Sequence, residues 1–288
     1  MPVLDKLHHF VLACEAGSFT AAARRANITQ PSFSASIRSL EDALGAKLLH
    51  RGRAGSSPTA AGAALLPKAR AALAAVEDGR RAVREVVGLQ VGTVRLGAGP
   101  TACTYILPRA LAAFRRAHPG LRLFLTEGHN DTIWSALQRG DLDLALVSQA
   151  SLPANQSGFE AEPWLEDAIL LVEGPTPPAD PLSFVSFPRG ATLRSLLEQH
   201  IPEAEVVMEL GSIAAVKGNV RAGVGRALVS EAACRRDLRE GRLIRVRDAR
   251  TPIPRLLMLV HRGLDRLPPA ASALRLQLLT DRGRHPTP

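Results

Sequence analysis

The chain has 288 residues, 46% of them hydrophobic and 22% charged, a composition that excludes wholesale disorder and suits two or three domains. No run approaches the ~20 apolar residues of a transmembrane helix, the stretch Met1 to Phe10 lacks a basic segment followed by an apolar one, and three scattered cysteines argue against a disulfide framework or a clustered zinc site. The expected location is therefore the cytoplasm. The formal net charge of +9 favours a polyanionic partner, and residues 1–92 are the more basic part per residue.

Leu4, Leu7, Phe10, Val11 and Cys14 recur at three and four residues and predict a first helix, ended by Gly17. His8-His9 reads as an exposed pair on that helix. Ser18 is a good N-cap for a second helix, Phe19 to Ala26. Asn27-Ile28-Thr29 makes a turn, and Thr29 can cap a third helix whose first turn holds Gln30, Pro31 and Ser32. Phe33, Ile37, Leu40 and Leu44 form the buried stripe of the third helix, and Gly45 stops it. Two short helices joined by a tight turn make the helix-turn-helix pattern. Gln30, Ser32, Ser34, Ala35 and Arg38 lie away from the stripe, with side chains suited to bases and phosphates. Ala46 to Arg51 reads as a strand and Gly52 to Ser57 as a basic hairpin tip. On periodicity alone, the same pattern equally suits a small helical domain with solvated serines.

The stretch Leu7 to Gly62 closely resembles the winged helix-turn-helix of LysR-type transcriptional regulators. Phe10, Ala16-Gly17-Ser18-Phe19, Ala21-Ala22-Ala23, Gln30-Pro31, Ser34, Ile37, Leu40-Glu41, Leu44-Gly45, Leu48 and Arg51 carry the resemblance. Ala35, Leu49 and Pro58 depart from the common pattern. The resemblance extends over essentially the whole chain. It implies an α/β protein with an N-terminal winged helix-turn-helix, a long linker helix and a two-lobed, periplasmic-binding-protein-like sensor domain. The implied boundaries are 1–58 for DNA binding, 59–89 for the linker and 90–288 for the effector domain. Within the last, lobe I is 90–163 with 262–288 and lobe II is 164–261. The DNA contacts implied are Ser18, Thr20, Thr29, Gln30, Pro31, Ser32, Ser34, Arg38, Arg51 and Arg53.

Thr59 can cap an Ala-rich helix running to Val87. Leu65, Ala69, Ala72, Val76, Gly79, Val83 and Val86 repeat with heptad spacing. One reading lays this helix on its own domain. The resemblance favours a dimerising linker with Leu65, Ala69, Ala72, Val76 and Val83 at the interface, and a tetramer as the full assembly.

From Gly92 the pattern becomes α/β. Strands are expected at 93–98, 121–127 and 142–148, with helices at 102–117 and 132–139 between them. A second set of strands follows Trp164, at 168–173, 183–187, 206–210, 226–230 and 243–246. A strand at 256–261 leads back to the first half and a helix at 268–280 closes the chain. Ligands in open parallel sheets sit beyond the carboxyl ends of strands, near helix N-termini. That rule, with the resemblance, gives Pro100, Thr101, Asn130, Ser148, Ser212 and Ile213 as effector contacts, although Ser, Thr and Asn at these places also suit plain helix caps. A small carboxylate is the expected effector, and Asp131 pointing inward would argue against it. No Lys or Arg adjoins Thr101 or Ser212 in sequence.

Neither Ser230-Glu231 with His261 nor Gly97-Ala98-Gly99 makes a recognisable catalytic or nucleotide motif, so no enzyme activity, metal or cofactor is expected. A thiol-based redox-sensing regulator, resting on Cys103 or Cys234, is one alternative. A metabolite-binding or enzymatic α/β protein without DNA binding is another. A transport component lacks the export signal and would not carry the helix-turn-helix. The partners expected are double-stranded DNA, a small-molecule effector and further copies of the chain, with RNA polymerase a further candidate and no membrane.

Overall fold

The computed structural model describes residues 3–52, 55–86, 92–154, 156 and 158–281. Two compact units divide the chain: residues 1–89 with 138–141, and residues 90–137 with 142–288.

In the first unit, α1 (Val3–Ala16), α2 (Phe19–Arg25) and α3 (Gln30–Leu44) are followed by a two-stranded antiparallel ribbon, β1 (Leu49–Gly52) and β2 (Gly55–Pro58), and by the long α4 (Ala60–Val86). Local chemistry sets the breaks. Ser18 accepts a hydrogen bond from the Ala21 amide at 3.5 Å, and Thr29 accepts one from Ser32 at 3.4 Å, each capping its helix. Gly45 ends α3 at φ +65°, a left-handed conformation that costs a glycine little. Phe10, Phe33, Ile37, Leu40 and Leu48 form the core.

Several expectations change here. Leu44 is 51% exposed, because the last turn of α3 runs past the core that Phe33 and Ile37 fill. His9 is buried and its Nδ1 lies 2.8 Å from Ser36 Oγ; only His8 is on the surface. The first strand starts at Leu49 rather than Ala46. Gly55, Ser56 and Ser57 belong to β2 rather than to a hairpin tip. Ser56 donates its amide to Gly17 O at 2.8 Å, and a side chain at Gly55 would meet that same oxygen, so β2 is clamped to the end of α1.

Glu41 anchors the other ribbon strand. Its carboxylate is buried, accepting from the Leu48 amide at 3.0 Å, the Leu49 amide at 3.4 Å and Lys47 Nζ at 3.0 Å. Burial alone would push its pKa up. These donors outweigh that and hold it below the usual range.

In the second unit, β3 (Thr93–Ala98), a π-helical turn (Ala102–Ile106), α5 (Leu107–Ala117), β4 (Arg122–Glu127), α6 (Asn130–Arg139) and β5 (Leu144–Ser148) make the first βαβαβ run. Next come β6 (Glu160–Glu173), β7 (Ser183–Ser186), α7 (Thr192–His200), β8 (Glu205–Glu209), α8 (Ile213–Arg221), β9 (Ala227–Ser230), α9 (Glu231–Arg239), β10 (Ile244–Arg245), β11 (Ile253–His261) and α10 (Pro269–Asp281).

One seven-stranded sheet runs β10-β6-β11-β5-β3-β4, with β9 also paired to β6. β3 pairs parallel with β4 and β5, whereas β6 and β11 pair antiparallel along the whole of β11 and belong to both lobes. β7 and β8 form a parallel pair, joined to the start of β9 through Arg226, whose amide donates to Ser183 O at 2.8 Å and whose carbonyl accepts from the Val185 amide at 2.9 Å. α10 returns to the first lobe, where Leu274 and Leu278 pack in its core and Leu278 O accepts from Trp164 Nε1 at 2.8 Å.

Candidate functional site

Two sites emerge. On the first unit, Thr20, Thr29, Gln30, Pro31, Ser32, Ala35 and Arg38 are exposed, and all but Thr20 and Thr29 lie on α3. Ser18 is half-buried as the cap of α2. Ser34 does not join the exposed face. It is buried, accepting from Gln30 Nε2 at 3.1 Å, because α3 turns this position toward the core. Arg51 lies on β1, but its side chain, like the whole of Arg53, falls outside the described residues.

The expected dimer seam divides. Leu65 and Ala69 pack on the helical core of their own unit; Ala69 is buried and has no surface left for a partner helix, while Leu65 is half-buried. A spacing of three and four residues serves either packing. Ala72 and Val76 are half-buried and Val83 is 63% exposed.

On the second unit, a cleft of about 140 Å³ opens beyond the carboxyl ends of β3, β4 and β5. One wall carries Pro100, Thr101, Asn130 and Ser148; the facing wall carries Phe187, Thr192 and Ile213, and β11 adds Arg255 and Leu257. Neither Thr101 nor Ser148 caps the helix that follows it, so their hydroxyls remain for other work. Asn130 Nδ2 donates to Ser151 at 2.7 Å and, across the cleft, to Thr192 at 3.0 Å.

Ser212 is the correction. It is exposed, it caps α8 through the Ala215 amide at 3.2 Å, and its neighbours Gly211 and Ile213 line the cleft instead. Asp131 is exposed and does not line the cleft.

Arg255 is the residue that sequence reasoning missed. It arrives through the fold, its side chain only 10% exposed and ion-paired through Nη2 with Asp167. Ser230 Oγ donates to the Asp167 carboxylate at 2.8 Å. The signal was present as a lone charge within the apolar strand Ile253 to His261, a place where a charge is kept only with a partner.

Burial, the largest cause in each case, pushes Cys14 and Cys103 up to about 11 and Cys234 up to about 12, opposite to the lowering that a reactive cysteine needs. Among the described residues no cluster of three or more His, Cys, Asp or Glu side chains is placed to hold a metal ion, and no helix is long and apolar enough to cross a membrane.

A capped helix-turn-helix with a clamped ribbon, followed by a two-walled ligand cleft, defines a ligand-responsive DNA-binding protein. Residues 4–63 match the model of the bacterial regulatory helix-turn-helix proteins of the lysR family, and residues 88–282 match the LysR substrate binding domain. The chain belongs to the LysR-type transcriptional regulators, which are not enzymes. It is 30% identical to the HTH-type transcriptional regulator CfxR of Cupriavidus necator, over 96% of this chain and 90% of that one. It is 31% identical to a probable RuBisCO transcriptional regulator of Cyanidioschyzon merolae, over 82% and 84%. In fold it is similar to ArgP from Mycobacterium tuberculosis, with a TM-score of 0.64 at 20% identity, over 96% of each chain.

Proposed function

We propose that this regulator acts in the cytoplasm and reads a small carboxylate-bearing metabolite in the cleft of residues 90–288. Residues 1–58 carry the double-stranded DNA contact, with Thr20, Gln30, Ser32 and Arg38 toward the groove and Arg51 and Arg53 on phosphate. Residues 59–89 pair two copies through the distal half of α4, from Ala72 to Val83, and two such pairs make a tetramer that meets RNA polymerase at the promoter. The observation that carries the reading is the cleft itself. Its walls come from both lobes and include Thr101 and Ser148, whose hydroxyls cap no helix, together with Arg255. A ligand touching both walls binds one lobe arrangement better than the other and shifts their populations.

The test begins with genomic fragments retained by the full-length protein, followed by footprinting with and without a panel of small carboxylates. Thr101→Val keeps the shape and removes one hydroxyl. It should leave the ligand-free footprint intact and weaken the response. A Thr101→Val protein that responds as fully as the wild type would sink the assignment.

A further inference from the structure

The cleft is narrow in its chemistry as well as its volume. Among the described residues Arg255 is the only Lys or Arg on its walls, and no Asp or Glu lines it. The guanidinium is held from behind. Asp167, itself almost fully buried, takes Nη2, and the fully buried Ser230 fixes Asp167. Arg255 Nε is buried with no hydrogen-bond partner in the described protein, an unpaired donor that is costly to keep. A guanidinium so fixed binds an anion with little ordering cost.

The other polar groups are few. Asn130 spends its amide nitrogen on Ser151 and Thr192, leaving its Oδ1 and the hydroxyls of Thr101, Ser148 and Thr192, with His129 at the exposed rim. Much of the remaining wall is apolar, with Leu146, Phe187, Leu193, Ile213 and Leu257. A polyhydroxylated or phosphorylated ligand would leave most of its polar groups unpaired against these side chains. The space of about 140 Å³ compares with the roughly 150 Å³ of a cavity known to take benzene.

We propose that the cleft takes a monocarboxylate carried on a compact apolar body of about six carbons, with Arg255 as the anchor and Asp167 as the group that positions it. This rests on the effector reading above and narrows it to one ligand class.

The experiment measures binding of benzoate, its neutral isostere benzamide, and phosphoglycerate to the full-length protein, by calorimetry and by shift of the melting midpoint. Benzoate should bind, benzamide should bind about ten- to a hundredfold more weakly, as expected for loss of a charged hydrogen bond, and phosphoglycerate should not compete. Arg255→Gln alone would strand the buried Asp167, so the neutral pair Arg255→Gln/Asp167→Asn removes both charges together and should lose the preference for benzoate over benzamide. Arg255→Lys keeps the charge but not the planar fork, and should weaken benzoate about tenfold while folding normally.

Equal binding of benzoate and benzamide would overturn the assignment. So would tighter binding of phosphoglycerate, or no binding of benzoate, cyclohexanecarboxylate or isovalerate at millimolar concentration. Benzoate binding through Arg255 with an unchanged DNA footprint would instead refute the regulatory reading and leave the ligand class standing. A footprint that answers phosphoglycerate alone would do the reverse.

Discussion

Glu41→Ala removes the acceptor that joins α3 to the first strand of the ribbon. Two buried amides, Leu48 and Leu49, lose their partner. A buried unsatisfied donor costs about 1–3 kcal/mol, and the longer Leu49 bond belongs at the low end, so the loss should be about 2–4 kcal/mol. The Lys47 arm adds little, because that side chain is 73% exposed. Against a domain stability of about 5–15 kcal/mol this is a large fraction.

The two tryptophans, Trp134 and Trp164, and the single tyrosine, Tyr105, all lie in the second unit. Tryptophan fluorescence therefore follows that unit alone, while far-ultraviolet circular dichroism follows both. In a urea titration the dichroism transition of the first unit should move to lower urea and the fluorescence transition should stay.

Acid supplies a second arm. The folded carboxyl of Glu41 is held below its unfolded value of about 4.3. Its contribution is therefore present above that pH and is lost as pH falls through the folded value. The wild-type first unit should show this loss, and the Glu41→Ala unit should lack that increment. A variant within about 0.5 kcal/mol of wild type, the scatter of ordinary surface changes, or one with the same acid dependence, would refute the anchoring role.

Three further outcomes are expected. Gln30→Ala should blur discrimination at one base position by about 1–3 kcal/mol, measurable by binding to a set of single-base operator variants; a uniform loss on every variant would place Gln30 on the backbone. Val83→Asp should leave the isolated fold intact, since the side chain is 63% exposed, yet give a monomer by sedimentation and a weakened DNA complex, because a partner helix would bury an unpaired charge; an unchanged dimer mass would put the pairing elsewhere. Peroxide should leave DNA binding unchanged at pH 7, where a thiol pushed up to about 11, like Cys103, is ionised in about one molecule in ten thousand; a peroxide-sensitive footprint that Cys103→Ser abolishes would reverse that.

What the sequence made legible was what local chemistry decides. Ser18, Thr29 and Gly45 mark helix ends through bonds and backbone angles within a few residues, and those ends stand where the caps put them. What it hid depends on partners far along the chain. His9 looked like surface until Ser36, 27 residues on, turned it inward. Ser34 belongs to the polar face by period and to the interior by packing. The two halves of α4 share one periodicity, although the first packs on its own unit and Val83 stays exposed. In the cleft, Thr101, Asn130 and Ser148 followed from strand ends, whereas Arg255 depends on an ion pair with a residue 88 positions earlier, which no window of sequence contains.

The paired strands β6 and β11 give the ligand cleft its mechanical character. At one end of this ribbon β11 holds β5; at the other, β6 holds β9 and β10. The lobes are thus not two bodies on a loose strap but two ends of one paired ribbon, so any change in the angle between them has to be taken up as twist along it. The register of the pair slips between Leu257 and Met258, and an irregularity of that kind concentrates twist. Leu257 is itself a wall of the cleft. A molecule seated there touches the ribbon at the point where its register changes, so the ligand wall and the place where twist gathers are the same residue.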